Sequence, residues 1–488
     1  MAEAAKLHGG LRLETHTARS TSRPIRAAAA PAQAVLALDQ HAGEPAQPVV
    51  RPGDRVRRGQ PIAESHHHLS AWLHAPIAGT VHAIEPRPCA HHGGNNTLSI
   101  VIDNDGSDQP YDTEPIGNFA ALAPLQLCEH LARGGIVGLG GAVFPTAAKL
   151  AASLDRAPVH LVLNGAECEP WISCDDMLMR ERAATVLQGA QVLCHVLKAE
   201  RCTVAIEDDM PDAARALQTA LAAAPDSRIQ IALVPRMYPA GGERQLIATL
   251  TGREVPAGGL PMDIGVICQN VATAAATARW TCDGVPLISR IVTVTGSAVA
   301  EPANLEVRLG TAMADVINEC GGYRDTVARL VMGGSMMGVA LPSDALPVMK
   351  ATNCIVAATA SDFSLRGAEM PCIRCGSCAR VCPAILLPQQ LHWFAQRPGS
   401  TADLMALADL GLMDCIECGC CDYVCPSHIP LTQRFRDNKA LLAPALLGAE
   451  QAAQSRHRFE DRNARLQRLE EQRRAQLEAQ RKLLSKAR

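Results

Sequence analysis

The chain has 488 residues, a formal charge of −3 and only 3 % aromatic residues. That length suits roughly three domains with cores of their own. Near-neutral charge and sparse aromatics exclude a polyanion-binding surface across the chain and base-stacking modules, so no nucleic-acid partner is expected. Of its 19 cysteines, eight fall in regular motifs and eleven are scattered without a pairing pattern, which suits a reducing cytoplasm better than a disulfide framework. No apolar core segment or cleavage site follows Met1, so no signal peptide is expected. No run of about eighteen apolar residues occurs, so no membrane-spanning helix is expected either.

In chain order, residues 1–34 read as irregular. From Val49 the text becomes Val-Arg-Pro-Gly53-Asp54-Arg-Val56-Arg-Arg-Gly59-Gln-Pro-Ile62, then His74-Ala75-Pro76-Ile77-Ala-Gly79-Thr-Val81-His-Ala-Ile84. Alternating apolar positions punctuated by glycine and proline predict short hairpin strands. The two phrases resemble the halves of a biotinyl/lipoyl-type barrel-sandwich domain, here assigned to residues 1–120. Carrier domains of that type modify a lysine, and none occurs between Lys6 and Lys149, so a docking or packing module is expected. His66, His67, His68, His91 and His92 fall in predicted loops without a matching carboxylate or cysteine pattern, which argues against a metal site.

Residues 121–285 alternate strand-like and helix-like segments. Leu161–Leu163, Cys202–Ile206 and Ile229–Val234 are short apolar runs, and Met177–Leu197 and Ala213–Ala223 are long enough for helices. This is the pattern of a mostly parallel sheet covered by helices, whose ligands bind at the carboxyl ends of strands. Four loops fall there. The first, Gly134-Gly135-Ile-Val-Gly138-Leu-Gly140-Gly141-Ala142-Val143-Phe144-Pro145-Thr146, leads toward a helix and exposes backbone N–H groups to an approaching phosphate. It fits neither G-x-G-x-x-G nor the Walker pattern, and a turn packing helix on strand reads almost as well. Lys149 follows as a point charge for phosphate, with a solvated lysine as the alternative. The second loop, Asn164-Gly-Ala-Glu167-Cys168-Glu169-Pro170, puts two carboxylates at a strand end, where they suit ribose hydroxyls or a nicotinamide amide. The third is Tyr238-Pro-Ala-Gly241-Gly242-Glu243-Arg244. The fourth, Cys268-Gln269-Asn270-Val271-Ala272-Thr273, offers amides for an isoalloxazine or its phosphate.

Residues 286–360 return to β character. Ile291–Thr295 is a strand, Val307–Ile317 a strand, turn and helix, and Gly333-Gly334-Ser-Met-Met-Gly338 a tight turn; a β-grasp-like module is expected. Within 361–440, Cys372-Ile-Arg-Cys375-Gly-Ser-Cys378-Ala-Arg-Val-Cys382-Pro383 and Cys415-Ile-Glu-Cys418-Gly-Cys-Cys421-Asp-Tyr-Val-Cys425-Pro426 repeat C-x2-C-x2-C-x3-C-P. This is the spacing of a two-cluster ferredoxin, in which the fourth cysteine of each run ligates the other cluster. One [4Fe–4S] cluster is assigned to Cys372, Cys375, Cys378 and Cys425, the other to Cys415, Cys418, Cys421 and Cys382. Zinc needs only four ligands per site and leaves the third C-x2-C step unexplained. Pro444 marks a boundary, and residues 441–488, helical from Glu450 on, read as a basic amphipathic helix, a solvated tail, with an anionic membrane face as the alternative.

The four loops, in this order, resemble the flavin-carrying NADH-oxidising subunit of respiratory complex I, which shows G-R-G-G-A-G-F-P-T, N-A-D-E-S-E-P, Y-x-x-G-E-E and N-N-V-E-T. The resemblance implies FMN bound by Gly138, Gly140, Gly141, Asn164, Tyr238, Gly241, Glu243, Asn270 and Thr273. It implies NAD(H) stacked near Phe144 and contacted by Lys149, Glu167 and Glu169. The chain departs from that pattern at Val143, Ala166 and Gly242. A closer resemblance, to the C subunit of the Rnf ion-translocating electron transport complex, covers nearly the whole chain. It is carried by His8-Gly9-Gly10, Ala166-Glu-Cys-Glu-Pro170, Gly252-Arg-Glu-Val-Pro256, Lys350-Ala-Thr-Asn353 and Pro388-Gln-Gln-Leu391. It implies a multidomain α/β plus α+β chain, peripheral on the cytoplasmic face of the bacterial inner membrane. The implied partners are the other Rnf-type membrane subunits (A, B, D, E, G), which couple the redox step to Na+ or H+ movement, and ferredoxin or an iron–sulfur partner subunit. A soluble flavin/iron–sulfur reductase, such as a microcompartment cobalamin reductase, shares these modules but starts with the glycine-rich loop, which about 130 residues precede here.

Overall fold

The computed structural model describes residues 7–65, 67, 69–90, 96–154, 156, 159–363, 367–396 and 400–486. Of the histidines weighed for metal, His66, His68, His91 and His92 lie outside these residues. The alternating segments near the amino terminus build two small sheets. One orders Gln33–Ala37, Asn96–Asn104, Gly79–Pro88 and Arg55–Val56; the other orders Gln47–Pro48, Pro61–Glu64 and Leu73–His74. Leu36, Ile62, Ile77, Ile100 and Ile102 close the core of this unit.

The central sheet is parallel and orders Ile229–Val234, Arg201–Glu207, His160–Gly165 and Val266–Asn270. Its strands are rich in apolar residues because helices cover both faces. Glu243–Thr251 packs on one face; Ala183–Leu197 and Val271–Asp283 pack on the other. The last two helices approach so closely that a side chain at Gly189 would strike the Ala274 carbonyl. From His160–Gly165 the chain steps outward to Ile229–Val234, then crosses to the opposite side for Val266–Asn270. The order therefore reverses between His160–Gly165 and Val266–Asn270, and a crevice opens at the carboxyl ends of strands at such a reversal. The helix expected over Met177–Leu197 is two helices, Cys174–Glu181 and Ala183–Leu197. Arg182 between them leaves helical geometry at φ −131° and ψ 34°, with its guanidinium drawn 2.7 Å from Glu306 in the next module.

That module is a six-stranded sheet in the order Arg26–Ala27, Ala303–Arg308, Ser289–Thr295, Cys354–Ala358, Arg329–Met332 and Val339–Leu341. Ser289–Thr295 and Cys354–Ala358 pair in parallel at its centre, with antiparallel neighbours outside them. Residues of the helix Met313–Asn318 fill its core. The amino-terminal stretch, expected to be irregular, adds Arg26–Ala27 to the edge of this sheet.

The cysteine motifs carry two short helices, Ser377–Arg380 and Cys420–Tyr423, separated by Pro388–Ala395 and Thr401–Asp409. Leu431–Lys486 then forms one helix of 56 residues that runs through Pro444. The boundary expected at 440/441 thus lies inside a helix. Pro444 lacks the N–H that would reach Ala440, but Ala440, Leu441, Ala443 and Pro444 are exposed, which leaves the freed carbonyl open to solvent. Among the described residues no helix is long and apolar enough to cross a membrane.

Candidate functional site

At the reversal, Asn164 and Asn270 end adjacent strands and stand opposite each other in the ladder. Each uses its own amide oxygen to fix the turn that follows, accepting from the N–H of Ala166 (3.0 Å) and Ala272 (2.8 Å) respectively. Their amide nitrogens then reach across the crevice. Asn164 donates to the Gly241 carbonyl at 2.7 Å, and Asn270 donates to the Asp175 carboxylate at 2.5 Å. Gly241 has no room for a side chain, because a Cβ would lie 2.2 Å from the Ala166 carbonyl oxygen.

The glycine-rich loop arches over this crevice. Gly138 donates to Phe144 at 2.9 Å, Val143 donates back to Gly138 at 3.1 Å, and Leu139 donates to the Thr273 hydroxyl at 2.8 Å. Gly141 needs its glycine for φ +110°, and Val143, a β-branched residue, is held at φ +43°. A strained residue of that kind marks a loop whose shape is fixed by its surroundings. Among the described residues, no backbone group takes the N–H of Gly140, Gly141 or Ala142. Gly140 lies against the Asn270 side chain, and Phe144 is exposed beside it. Lys149 donates to Glu243 at 2.6 Å and to the Cys268 carbonyl at 2.7 Å, so these two expected ligand contacts form an ion pair at the rim.

Three residues expected to contact FMN or NAD(H) make contacts within the protein. Glu167 turns inward and caps the helix Cys174–Glu181, accepting from the N–H of Asp175 and Asp176 (both 3.1 Å) and from the Cys174 thiol. Burial, and then the charge of Asp175, push its carboxyl well above the usual range. Glu169 accepts from the N–H groups of Met336 (2.7 Å) and Met337 (2.8 Å) in the six-stranded-sheet module through one carboxylate oxygen. Tyr238 is buried, and its hydroxyl donates to the Cys418 carbonyl at 2.6 Å, so it points at the cysteine motifs. In each case a backbone group outside the local motif claims the side chain.

The cysteine motifs form a structural repeat. Arg374 and Glu417, Gly376 and Gly419, and Ile385 and His428 are pairs 43 residues apart, and all six have positive φ. The same interval separates the eight motif cysteines. Cys372, Cys375, Cys378 and Cys425 line one cavity. Burial chiefly pushes the Cys415 thiol up to about 11, and the charges of Cys418 and Cys382, one from each motif, raise it further. Backbone N–H groups of Glu417 and Leu386 donate to the sulfurs of Cys415 and Cys382, both at 3.4 Å. Cys372 and Cys375 are exposed, whereas Cys382, Cys418 and Cys421 are buried.

Residues 5–107 match the family model of the RnfC barrel sandwich hybrid domain, 131–279 the Nuo51 FMN-binding domain, 291–340 the SLBB domain and 370–429 the 4Fe-4S dicluster domain. The C subunit of the ion-translocating oxidoreductase complex of Pseudomonas aeruginosa is 48 % identical over 96 % of this chain and 60 % of its own length. The protein of the same name from Haemophilus influenzae is 41 % identical over 95 % of this chain and 69 % of its own length. The chain belongs to the C-subunit family of ion-translocating oxidoreductase complexes. It spans less than two thirds of the Pseudomonas relative and of the Vibrio cholerae one, of which it covers 59 % at 43 % identity. A NAD+-reducing [NiFe]-hydrogenase in its H2-reduced state aligns at 20 % identity over 67 % of this chain and 63 % of that one, with a TM-score of 0.45, too distant to argue from.

A member of this family thus carries an FMN-binding domain and a 4Fe–4S dicluster domain, and the residues present fit both groups. The crevice offers free N–H groups and amides at a sheet reversal, and the motifs bring thiols together with N–H donors aimed at sulfur. Two features escaped the sequence reading. The His8-Gly9-Gly10 strap joins the crevice to the motifs: Gly10 donates to Val381 at 3.0 Å, and Leu11 exchanges hydrogen bonds with Tyr238. Arg290 and Lys350 reach the glycine-rich loop from the β-grasp module. The signal for Arg290 was available, since with period two it shares a strand face with Val292 and Val294, both fully buried.

Proposed function

We propose that the chain relays electrons between NAD(H) and two [4Fe–4S] clusters through FMN held in the sheet-reversal crevice. One loop carries the proposal. Residues 237–242 touch the crevice through the Asn164–Gly241 hydrogen bond and touch a cluster ligand through Tyr238 and Cys418. FMN bound there would accept two electrons as one hydride and give them up one at a time, which the nicotinamide cannot do toward a cluster.

In this reading Gly138, Gly140 and Gly141 let the phosphate approach the loop N–H groups, while Asn164, Gly241, Asn270 and Thr273 set the shape of the ring site. Phe144 offers a face for the nicotinamide, and the Lys149–Glu243 pair frames the entrance for NAD(H). Glu169 keeps one carboxylate oxygen clear of the Met336 and Met337 donors for a ligand contact. Glu167 serves by fixing the helix that carries Asp175 to Asn270. Cys382, Cys415, Cys418 and Cys421 would hold the cluster nearer Tyr238, the one placed to take electrons from the flavin, and Cys372, Cys375, Cys378 and Cys425 would hold the one nearer the surface. The chain then works at the cytoplasmic face of the inner membrane with the other Rnf-type membrane subunits (A, B, D, E, G), which couple the redox step to Na+ or H+ movement. It exchanges electrons with ferredoxin or an iron–sulfur partner subunit.

Cys378→Ala tests this order. Purified anaerobically, the variant should lose about half of its iron and acid-labile sulfide, since one of two clusters goes. NADH should still bleach the flavin and reduce the remaining cluster, while reduction of an external acceptor slows. A variant in which NADH no longer reduces the remaining cluster would reverse the order, and a wild-type chain holding neither FMN nor iron would end the proposal.

A further inference from the structure

A loop that presents N–H groups to an anion must turn its carbonyls the other way, and carbonyls turned into a protein interior need donors. Here the donors are cations. Arg290 is 5 % exposed and donates from Nη2 to the Leu139 carbonyl at 3.1 Å; its Nη1 holds the Lys350 carbonyl. Lys350 is 1 % exposed, and its Nζ donates to the Gly135 carbonyl at 2.8 Å and to the Trp72 carbonyl of the barrel-sandwich unit at 2.9 Å. Leu139 is thereby gripped at both ends, its N–H by Thr273 and its carbonyl by Arg290, immediately before the free N–H groups of Gly140 to Ala142.

Among the described residues neither cation forms an ion pair with a carboxylate. The Cys174 side chain also faces Arg290, and Asp175 and Glu167 act on it at longer range. Burial pushes the Lys350 ammonium down to about 7. Two basic groups kept in a dry interior without a paired carboxylate are costly. A negative charge in the crevice offsets that cost, and carbonyls satisfied by cations leave the loop polarised with its positive side outward.

We propose that Arg290 and Lys350, both contributed by the β-grasp module, are positioning residues that hold the glycine-rich loop open-handed toward the phosphate of the flavin nucleotide. The inference rests on the crevice being the FMN site. It assigns the β-grasp module a share in selecting a phosphorylated flavin over its unphosphorylated parent, beyond packing.

The test uses full-length protein stripped of flavin and titrated with FMN and with riboflavin, each followed by quenching of flavin fluorescence. The wild-type chain should bind FMN more tightly than riboflavin. Arg290→Gln and Lys350→Met should each weaken FMN about tenfold, the scale of one charge-assisted hydrogen bond, and leave riboflavin within about twofold. Arg290→Lys, which keeps the charge and disturbs packing least, should recover part of the preference for FMN and stays readable if the other variants do not fold. Equal losses for both flavins, or no loss for either, would overturn the positioning role. A wild-type chain indifferent to the phosphate would instead overturn the reading of the crevice, and this inference with it.

Discussion

The carboxyl group of Glu169 is gripped by two N–H groups of another module, and burial pushes it up to about 7 from its ordinary 4.5. A raised carboxyl pKa means that the folded state favours the protonated form. The stabilising contribution is complete below about pH 4.5 and is lost as pH rises through about 7. Glu169→Gln should therefore flatten that part of the thermal stability profile, so that the wild type gains on the variant on moving from pH 7.5 to pH 5.5. Scanning calorimetry at both pH values reads the difference, and parallel profiles would count against it. At this scale local residue type is what the sequence shows: Asn164, Gly241 and Asn270 lie at strand ends and turns, and Thr273 in the first turn of a helix. Glu167 was not legible, because its direction is decided by the amino terminus of a helix that begins seven residues later, at Cys174.

Among elements, the cysteine motifs were the most readable, since a repeat at a fixed interval constrains the backbone as well as the ligands. The six positive-φ residues at equivalent positions of the two motifs are what that repeat looks like in three dimensions. The long helix was the least readable. Proline punctuation is a local rule, and it fails where an exposed helix has water to satisfy the carbonyl that proline abandons. Pro444→Ala should restore the hydrogen bond to Ala440 and favour the helix locally by about 3 kcal/mol. Amide exchange around residues 440–448 should slow markedly, with no change in iron content. Unchanged exchange would mean that the helix is already broken there in solution. The helix assigned to Met177–Leu197 failed in the opposite sense. Nothing in its composition marks Arg182 as a joint, because the attraction comes from Glu306, over a hundred residues away.

The modules of the whole molecule are fastened by ionic and polar ties placed near the crevice. Glu306 of the β-grasp sheet binds Arg182 and Arg279 of the central unit at 2.7 and 2.8 Å. Burial alone would raise its carboxyl, but Arg279 and Arg182 together bring it down to about 2. The stability it contributes is present above about pH 4.5 and is lost as pH falls toward 2. Glu306→Gln should cost about 2 kcal/mol at neutral pH, less than a fully buried pair because both arginines are nearly a third exposed. Chemical denaturation at pH 7 and pH 3 should show that penalty shrinking in acid, and a penalty independent of pH would point to packing alone.

Nearly every residue from 448 to 485 faces solvent along a single helix, and at 1.5 Å per residue that stretch measures about 57 Å. An arm of that reach drags on the molecule as it tumbles. A lone copy will leave a size-exclusion column ahead of a spherical standard of its 51.7 kDa mass and can pass for a dimer. Light scattering, which weighs particles without regard to shape, should return the mass of one chain, and truncation after residue 447 should bring the two measurements together.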